Sequence, residues 1–357
     1  MAIDVNRRFI AEFEHHHGTI AMYPFRTDIW RSDAVYMQEY VINLVKCIAK
    51  YENVYLICRN QDVEKLQGEL NNSIFLHNIR VIPLEYDDIW TRDIGPSFVR
   101  IAEELIAINW RFNAWGGLKE GSYFPWDKDN AFAVEFSKYL NINTIEADIV
   151  LEGGAILTDG EGTLFTTRSV LLNRNRNPFK SKEYIENVLK NCLGVRKVVW
   201  LKQGLADDET NGHIDNVMSI IRPHEVCIAW TDDKTNPNYA RVREILKTIQ
   251  KSYECEVHKI PLPTPLYMSA EEEAGLTTND DAIIRKEGDL LPASYLNFYM
   301  VNGGVLIPKF GCVEDEQVLE IFKRVFPDRM IEQIYSREPL LGGGGIHCIL
   351  HEIPDLR

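Results

Sequence analysis

The chain has 357 residues, 45% of them apolar and 26% charged, a composition that excludes a disordered or fibrous protein and fits a folded globular one. A net charge of −14 argues against nucleic acid or an anionic membrane as partner and favours a cationic ligand. No apolar run reaches the about 20 residues that cross a bilayer, and MAIDVNRRFIAEFEHHHG carries charge where a signal peptide needs its apolar segment, so the chain reads as cytoplasmic.

In chain order, the apolar residues set a rhythm of amphipathic helix followed by short strand. Residues 33–50 have helical spacing and precede NVYLIC, and 61–70 precede IRVIPLEY. Farther on, 130–140 lead into TIEADIVLE, 181–193 into VRKVVWL, 238–251 into ECEVHKI, and 315–326 into RMIEQIY. Between these units, alternating pairs predict hairpins: SFVRI with LIAINWRF, HIDNVMSII with HEVCIAW, and YLNFYMV with GVLIP across Asn302-Gly303. No low-complexity segment or charge block marks a boundary, so residues 1–357 read as one α/β domain. The rhythm fits several modules around a centre and also a doubly wound sheet. No GxGxxG or GxxxxGKS/T follows a strand, which leaves nucleotide binding without support.

The unusual polar residues fall directly after the apolar strands, where loops on a rigid sheet can carry chemistry. DDIWTRDIGPSF brings Asp87, Asp88, Trp90, Arg92 and Asp93, and DIVLEGGAIL brings Glu152 ahead of two glycines. DDETNGHIDNV brings Asp207, Asp208, Glu209, His213 and Asp215, and LLGGGGIHCIL brings Cys348 behind four glycines. Each has an ordinary reading as well, since acidic residues after strands form turns and cap helices, and tryptophans pack cores. Four successive glycines, at about 0.5–1 kcal/mol each relative to alanine, ask for a backbone that passes close to a ligand. In HID, read as the start of a strand, the i, i+2 spacing turns His213 and Asp215 to one side. His347 and Cys348, if extended, point oppositely, and the histidines at 15–17 read as a loose solvated turn, so no metal site and no cofactor is expected. The seven cysteines are odd in number and lack CxxC spacing, which suggests neither a disulfide framework nor a zinc knuckle.

Together the clusters supply a thiol, a histidine and several carboxylates. Carboxylates crowded into one pocket repel one another unless the ligand is a cation, and a planar guanidinium meets them through paired, charge-assisted hydrogen bonds. At an effective dielectric near 20, a charge pair at about 4 Å is worth up to ~4 kcal/mol before desolvation, enough to select such a cation over a neutral amide. Nucleophilic attack by Cys348 on a guanidine is the chemistry these residues support.

Seven stretches, in order and across nearly the whole chain, resemble the agmatine deiminases: AMYPFRTDIWR, WTRDIGPSF, FNAWGG with YFPWDKDN, LEGGAI, DETNGHIDN, ASYLNFYMVNGGVLIPKFG and GGGGIHC. The resemblance implies the pentein fold, an α/β propeller of five pseudo-symmetric ββαβ modules. It implies hydrolysis of agmatine to N-carbamoylputrescine and ammonia through an S-alkylthiouronium on Cys348, feeding polyamine synthesis or supplying nitrogen. In those terms Asp93 and Asp215 grip the guanidinium, His213 acts as acid and then base, and Glu152 orients His213. Trp90 and Trp115 would pack on the aliphatic part of the substrate, with Glu209 near the far amine and Asp87 among the binding groups. The resemblance implies no cofactor, and a homo-oligomer.

The chain also departs from the family pattern, Gly-Gly-Gly-Asn-Ile-His-Cys followed by Ile-Thr-Gln-Gln. Gly345 replaces the asparagine, which is expected to loosen the nucleophile loop, and Leu350, His351 and Glu352 stand for Thr-Gln-Gln. Free or C-terminal peptidyl arginine is the alternative substrate. It would need a basic partner for its carboxylate, and the clusters offer only Arg92, expected to be structural because it faces away from Asp93 in an extended segment. A non-catalytic guanidinium-binding protein of the same fold is the reading from a different class.

Overall fold

The structure, a computed structural model, describes residues 7–356 apart from 72, 207, 278–281 and 284. Among these residues the strands form five sheets, built on one plan. Ser97–Ile101 and Glu104–Arg111 pair antiparallel, helix Asp127–Tyr139 crosses back, and Asn143–Val150 joins Glu104–Arg111 in parallel. The plan recurs as Ile156–Thr158 and Thr163–Thr167, helix Lys182–Leu193, then Lys197–Leu201. It recurs again as Met218–Arg222 and Glu225–Trp230, helix Tyr239–Ser252, then Glu256–Pro261. Tyr299–Val301 and Gly304–Lys309, helix Asp315–Val325 and Met330–Tyr335 form a fourth copy. In the fifth, the C-terminal strand Leu350–Pro354 pairs antiparallel with His16–Met22, ahead of helix Val35–Ile48 and strand Asn53–Cys58, so the two ends of the chain share one sheet. The result is an α/β propeller of five ββαβ modules, and the doubly wound alternative is set aside.

Local chemistry explains the elements. The middle strands, such as Asn53–Cys58 and Gly304–Lys309, are buried nearly throughout, which is why they read as unbroken apolar runs. Each helix lays one stripe on its sheet: Met37, Val41, Leu44, Val45 and Ile48 in Val35–Ile48, and Ile185, Leu189 and Leu193 in Lys182–Leu193. Each such side chain contributes about 1.5–3 kcal/mol on burial. Helix Lys182–Leu193 opens at Ser181, whose hydroxyl accepts the Tyr184 N–H at 3.1 Å, and ends at Gly194 with φ 71°. Helix Asp127–Tyr139 begins earlier than the apolar spacing indicates, because the Asp87 carboxylate accepts the N–H groups of Lys128 and Asp129 and caps its first turn.

Two expectations change. The strand after HID begins at Met218, and Ile214–Asn216 form a 3₁₀ turn, so period-2 alternation does not set the directions of His213 and Asp215. The histidines at 15–17 are no loose turn: His16 opens the strand His16–Met22 and is buried, 3.2 Å from Glu52. Short turns in the connections between modules, Thr91–Ile94, Gly153–Ala155, Ile214–Asn216 and His347–Ile349, pack against one another. Residues distant in the sequence therefore meet at one end of the sheets. Among the described residues no helix is long and apolar enough to cross a membrane.

Candidate active site

Cys348 lies in the turn His347–Ile349 and is buried. The glycines before it run beneath Trp90: a Cβ on Gly344 would come within 2.4 Å of the Trp90 ring, so a side chain there would displace the indole. Above the sulfur is a cavity of about 300 Å³, walled by Trp90 and Trp115, floored by Cys348 and Asp93, and bounded farther out by Glu209 and Arg285. A larger hollow of about 740 Å³, walled by Pro237, Pro263, Pro265 and Pro292, brings no thiol and no histidine. Chemistry, not size, singles out the smaller one.

Around Gly154 three functional groups converge. A Cβ at that position would lie 2.6 Å from His213 Nδ1, 2.9 Å from Asp93 Oδ1 and 3.0 Å from Asp215 Oδ2, so only glycine lets them close in. The Gly154 N–H donates to Asp93 Oδ1 at 2.9 Å, and the Trp115 indole N–H donates to Asp93 Oδ2 at 2.8 Å. His213 is 3.8 Å from Asp93 and 3.5 Å from Glu152 Oε2. Glu152 Oε1 accepts the Arg176 Nε–H at 2.5 Å, both side chains being fully buried. Losing one partner of such a pair costs about 3–5 kcal/mol, because the other is left charged and alone. Asp215 Oδ2 faces His347 Nδ1 at 2.8 Å, and the other nitrogen of His347 faces Glu12 at 2.8 Å. Glu152 Oε2 and His213 Nε2 face each other across 3.5 Å, while Asp215 Oδ1 is buried and finds no hydrogen-bond partner among the described residues. A buried carboxylate oxygen in that condition marks a place for a donor brought by a ligand.

The charges follow from this packing. Burial alone would lower the His213 imidazole, but Asp93, then Glu152 and Asp215, lift it to about 9, so it carries a proton at neutral pH. Burial pushes Glu152 up, and Arg176 and His213 more than reverse that, holding it ionised with a value of about 2. Burial likewise raises Asp93 against the pull of His213. Burial first, then Asp215 and Asp93, push the Cys348 thiol well above its ordinary value, while contacts from Gly345 and Asn297 pull it partway back. Without a cation the sulfur is therefore a thiol. A positive ligand on the carboxylates would remove two of the effects that keep it so.

Most of the expected residues come together here: Cys348, His213, Glu152, Asp215, Asp93, Trp90, Trp115 and Glu209. Asp87 does not line the cavity; its carboxylate is used as a helix cap, 2.9 Å from the Lys128 N–H. Asp207 lies outside the described residues. Arg92 does face away from the site, but on a helical turn, and is held 2.7 Å from Glu352 and 3.6 Å from Glu12. His351 bonds the Pro96 carbonyl at 2.8 Å, so these departures at 351 and 352 belong to the packing behind the site. Glu209 is not a free carboxylate: Arg285 meets it through Nη2 at 2.6 Å and Nε at 3.2 Å. A basic residue does line the cavity, which the four sequence clusters did not contain.

Arg285 and Arg176 are neighbours that the sequence left unmarked, and Asn297 and His347, though within quoted stretches, were given no role. The partner of each is remote along the chain. One signal was available: three buried carboxylates require a buried cation, and NRNRNPF is the basic stretch nearest to LEGG.

A family model, the Porphyromonas-type peptidyl-arginine deiminases, matches residues 8–354. The chain is 40% identical over 356 residues to the agmatine deiminase of Pseudomonas aeruginosa strain LESB58, covering 97% of this chain and 95% of that one. It is also 40% identical over 354 residues to the agmatine deiminase of Ectopseudomonas mendocina, covering 96% and 94%. The solved structure of the agmatine deiminase of Enterococcus faecalis superposes with a TM-score of 0.92 at 34% identity, covering 99% of this chain and 97% of that chain.

Proposed function

The chain belongs to the Porphyromonas-type peptidyl-arginine deiminase family, and from that membership and its site we propose that it hydrolyses agmatine to N-carbamoylputrescine and ammonia with Cys348 as nucleophile. The observation that carries the reading is a buried thiol lining one cavity with Asp93, which closes around Gly154 with His213 and Asp215, the latter keeping an oxygen without a hydrogen-bond partner.

The guanidinium enters between Trp90 and Trp115 and places its nitrogens on Asp93 and Asp215. Its charge offsets the two carboxylates that hold the thiol protonated, and the Cys348 proton is released. The thiolate adds to the guanidinium carbon and gives a neutral tetrahedral adduct. His213 donates its proton to the departing nitrogen, the C–N bond breaks, ammonia leaves, and an S-alkylthiouronium remains on Cys348. Neutral His213, held by Glu152, takes a proton from water as the oxygen adds to the same carbon. The C–S bond then breaks, returning the thiolate, and the oxygen-bound proton is lost to give the ureido product. Of the two protons released, one returns to the Cys348 sulfur once the cation has gone and the other joins ammonia as ammonium, so that one water is consumed per turnover.

The two indoles pack on the four-carbon chain, and the amine reaches the Glu209–Arg285 pair, where it must compete with Arg285 for the carboxylate. Arginine would instead place a carboxylate beside Arg285. We read the enzyme as a cytoplasmic homo-oligomer with one catalytic domain, residues 1–357, a reading supported by the family resemblance. Incubation with agmatine, arginine or an arginine-terminated peptide, with ureido product and ammonia measured, tests the assignment. Agmatine should be turned over fastest, and no product from any of the three would leave only a guanidinium-binding protein. Cys348→Ser should lose turnover while calorimetry still detects agmatine binding; retained turnover would remove Cys348 from its role.

A further inference from the structure

Asn297 is almost fully buried and comes from the connection that precedes the fourth copy of the module, Tyr299–Val301 onward. Every polar atom of its carboxamide is engaged. Oδ1 accepts the backbone N–H of His347 at 2.9 Å and, at 3.6 Å, the Cys348 thiol, and Nδ2 donates to Asn216 Oδ1 at 3.0 Å and to Cys348 Sγ at 3.3 Å, the shorter of the two contacts with sulfur and the one a thiolate keeps. The orientation follows from the partners. Asp208 can only accept, and it takes the Asn216 N–H at 3.2 Å, so the Asn216 oxygen must face Asn297 and Asn297 must present its nitrogen. The backbone N–H of His347, shared with the Asn297 carbonyl at 3.3 Å, makes its shorter bond to the Asn297 side-chain oxygen on the other side. A flipped carboxamide would break both contacts at once, so the N–H aimed at sulfur is fixed.

We propose that Asn297 is the positioning residue of the nucleophile, aiming the Cys348 sulfur and stabilising its ionised form by N–H donation. The inference rests on Cys348 being the nucleophile. Burial, Asp215 and Asp93 all oppose the thiolate, and the Asn297 amide is one of the two contacts that favour it. Gly345 makes the arrangement possible: a Cβ there would fall 2.3 Å from Asn297 Oδ1, so any side chain at 345 must push the carboxamide off the sulfur. The glycine that departs from the family pattern therefore does not leave the loop loose. The loop is fastened by Asn297 through both the His347 N–H and the Cys348 sulfur.

The test reads the sulfur directly. Alkylation of Cys348 by iodoacetamide, followed across pH by peptide-resolved mass spectrometry, should shift its midpoint up by about one pH unit in Asn297→Ala, and further in Asn297→Asp, which keeps the acceptor but loses the donor. kcat should fall about 10- to 100-fold while KM for agmatine changes by less than about threefold. Gly345→Ala, with Asn297 intact, should reproduce the shift, and the double variant should be no worse than Asn297→Ala alone, because both act on one contact. An unchanged alkylation midpoint in folded Asn297 variants overturns the proposal, as does full additivity in the double variant. If Asn297→Ala fails to fold, Gly345→Ala decides in the same way. Loss of activity in Cys348→Ser without any shift in the Asn297 series would reject this inference and leave the deiminase reading standing.

Discussion

Two buried acidic clusters grow out of the single stretch DDIWTRD, and they differ in who supplies their donors. In the first, Asp129 accepts the Tyr123 hydroxyl and the N–H groups of Asp87, at 2.7 Å, and Asp88, while Asp87 caps the helix that carries Asp129. Asp88 completes it by accepting the indole N–H groups of Trp30 at 3.0 Å and Trp90 at 2.6 Å. The chain's own donors close this cluster, which ties the Trp90 loop to the helix. In the second, Asp93, Glu152 and Asp215 receive Gly154, Trp115, Arg176, His213 and His347, and one oxygen of Asp215 is still left over. The same residue type acts as a strut where the fold satisfies it and becomes available for chemistry where the fold stops short.

Substitutions that separate the clusters should separate activity from stability. The largest effect is expected for Asp215→Asn, with kcat/KM for agmatine down on the order of 10²–10³ and a melting temperature unchanged or raised, because a like charge has left a crowded site. A marked loss of melting temperature would mean that the open cluster is also a strut. Asp129→Asn should do the converse, destabilising the protein by about 2–3 kcal/mol in urea unfolding because an amide nitrogen replaces one of the oxygens that accept the Asp87 and Asp88 N–H groups and the Tyr123 hydroxyl, with kcat of the folded fraction within about threefold of wild type.

A pH series sharpens the picture of the closed cluster. Burial raises the Asp88 carboxyl to about 6 even though Arg26 and the indole N–H groups pull it down. A carboxyl raised by folding holds its proton more tightly folded than unfolded, so its contribution to stability is fullest below about pH 4 and declines as pH climbs to about 6. Asp88→Asn lacks that decline, and its stability relative to wild type should rise by up to about 1.4 kcal/mol per pH unit over that window. A constant difference between the two proteins at pH 4, 5 and 6 would show that Asp88 is already ionised. The smallest effect is expected for Trp115→Phe, which keeps the wall but removes the N–H on Asp93, lowering kcat/KM about three- to tenfold with little change in stability. A loss as large as that of Asp215→Asn would make the indole N–H part of the catalytic apparatus itself.

Much of this was legible in the sequence. The helices appear within a few residues of where apolar spacing puts them, the Asn302-Gly303 turn forms its hairpin with Gly303 at φ 77°, and residues of all four polar clusters meet at the site. Misreadings came where a local rule was applied without its partner. Asp87 looks like Asp93 in the sequence, and only the helix starting at Asp127 turns it into a cap. The spacing of HID suggests one strand face, yet a 3₁₀ turn sends His213 toward Glu152 and Asp215 toward His347.

What the sequence by itself determined was local: periodicity chose helix or strand, glycine and asparagine chose turns, and residue chemistry supplied a thiol, an imidazole and an excess of carboxylates. Which of those carboxylates would be neutralised was decided only by the tertiary structure. Arg176 reaches Glu152 across 24 residues, Asn297 reaches Cys348 across 51, and Arg285 reaches Glu209 across 76. The free energy of a buried charge depends on the few groups within hydrogen-bonding distance, and closure of the five modules, not spacing along the chain, selects those groups.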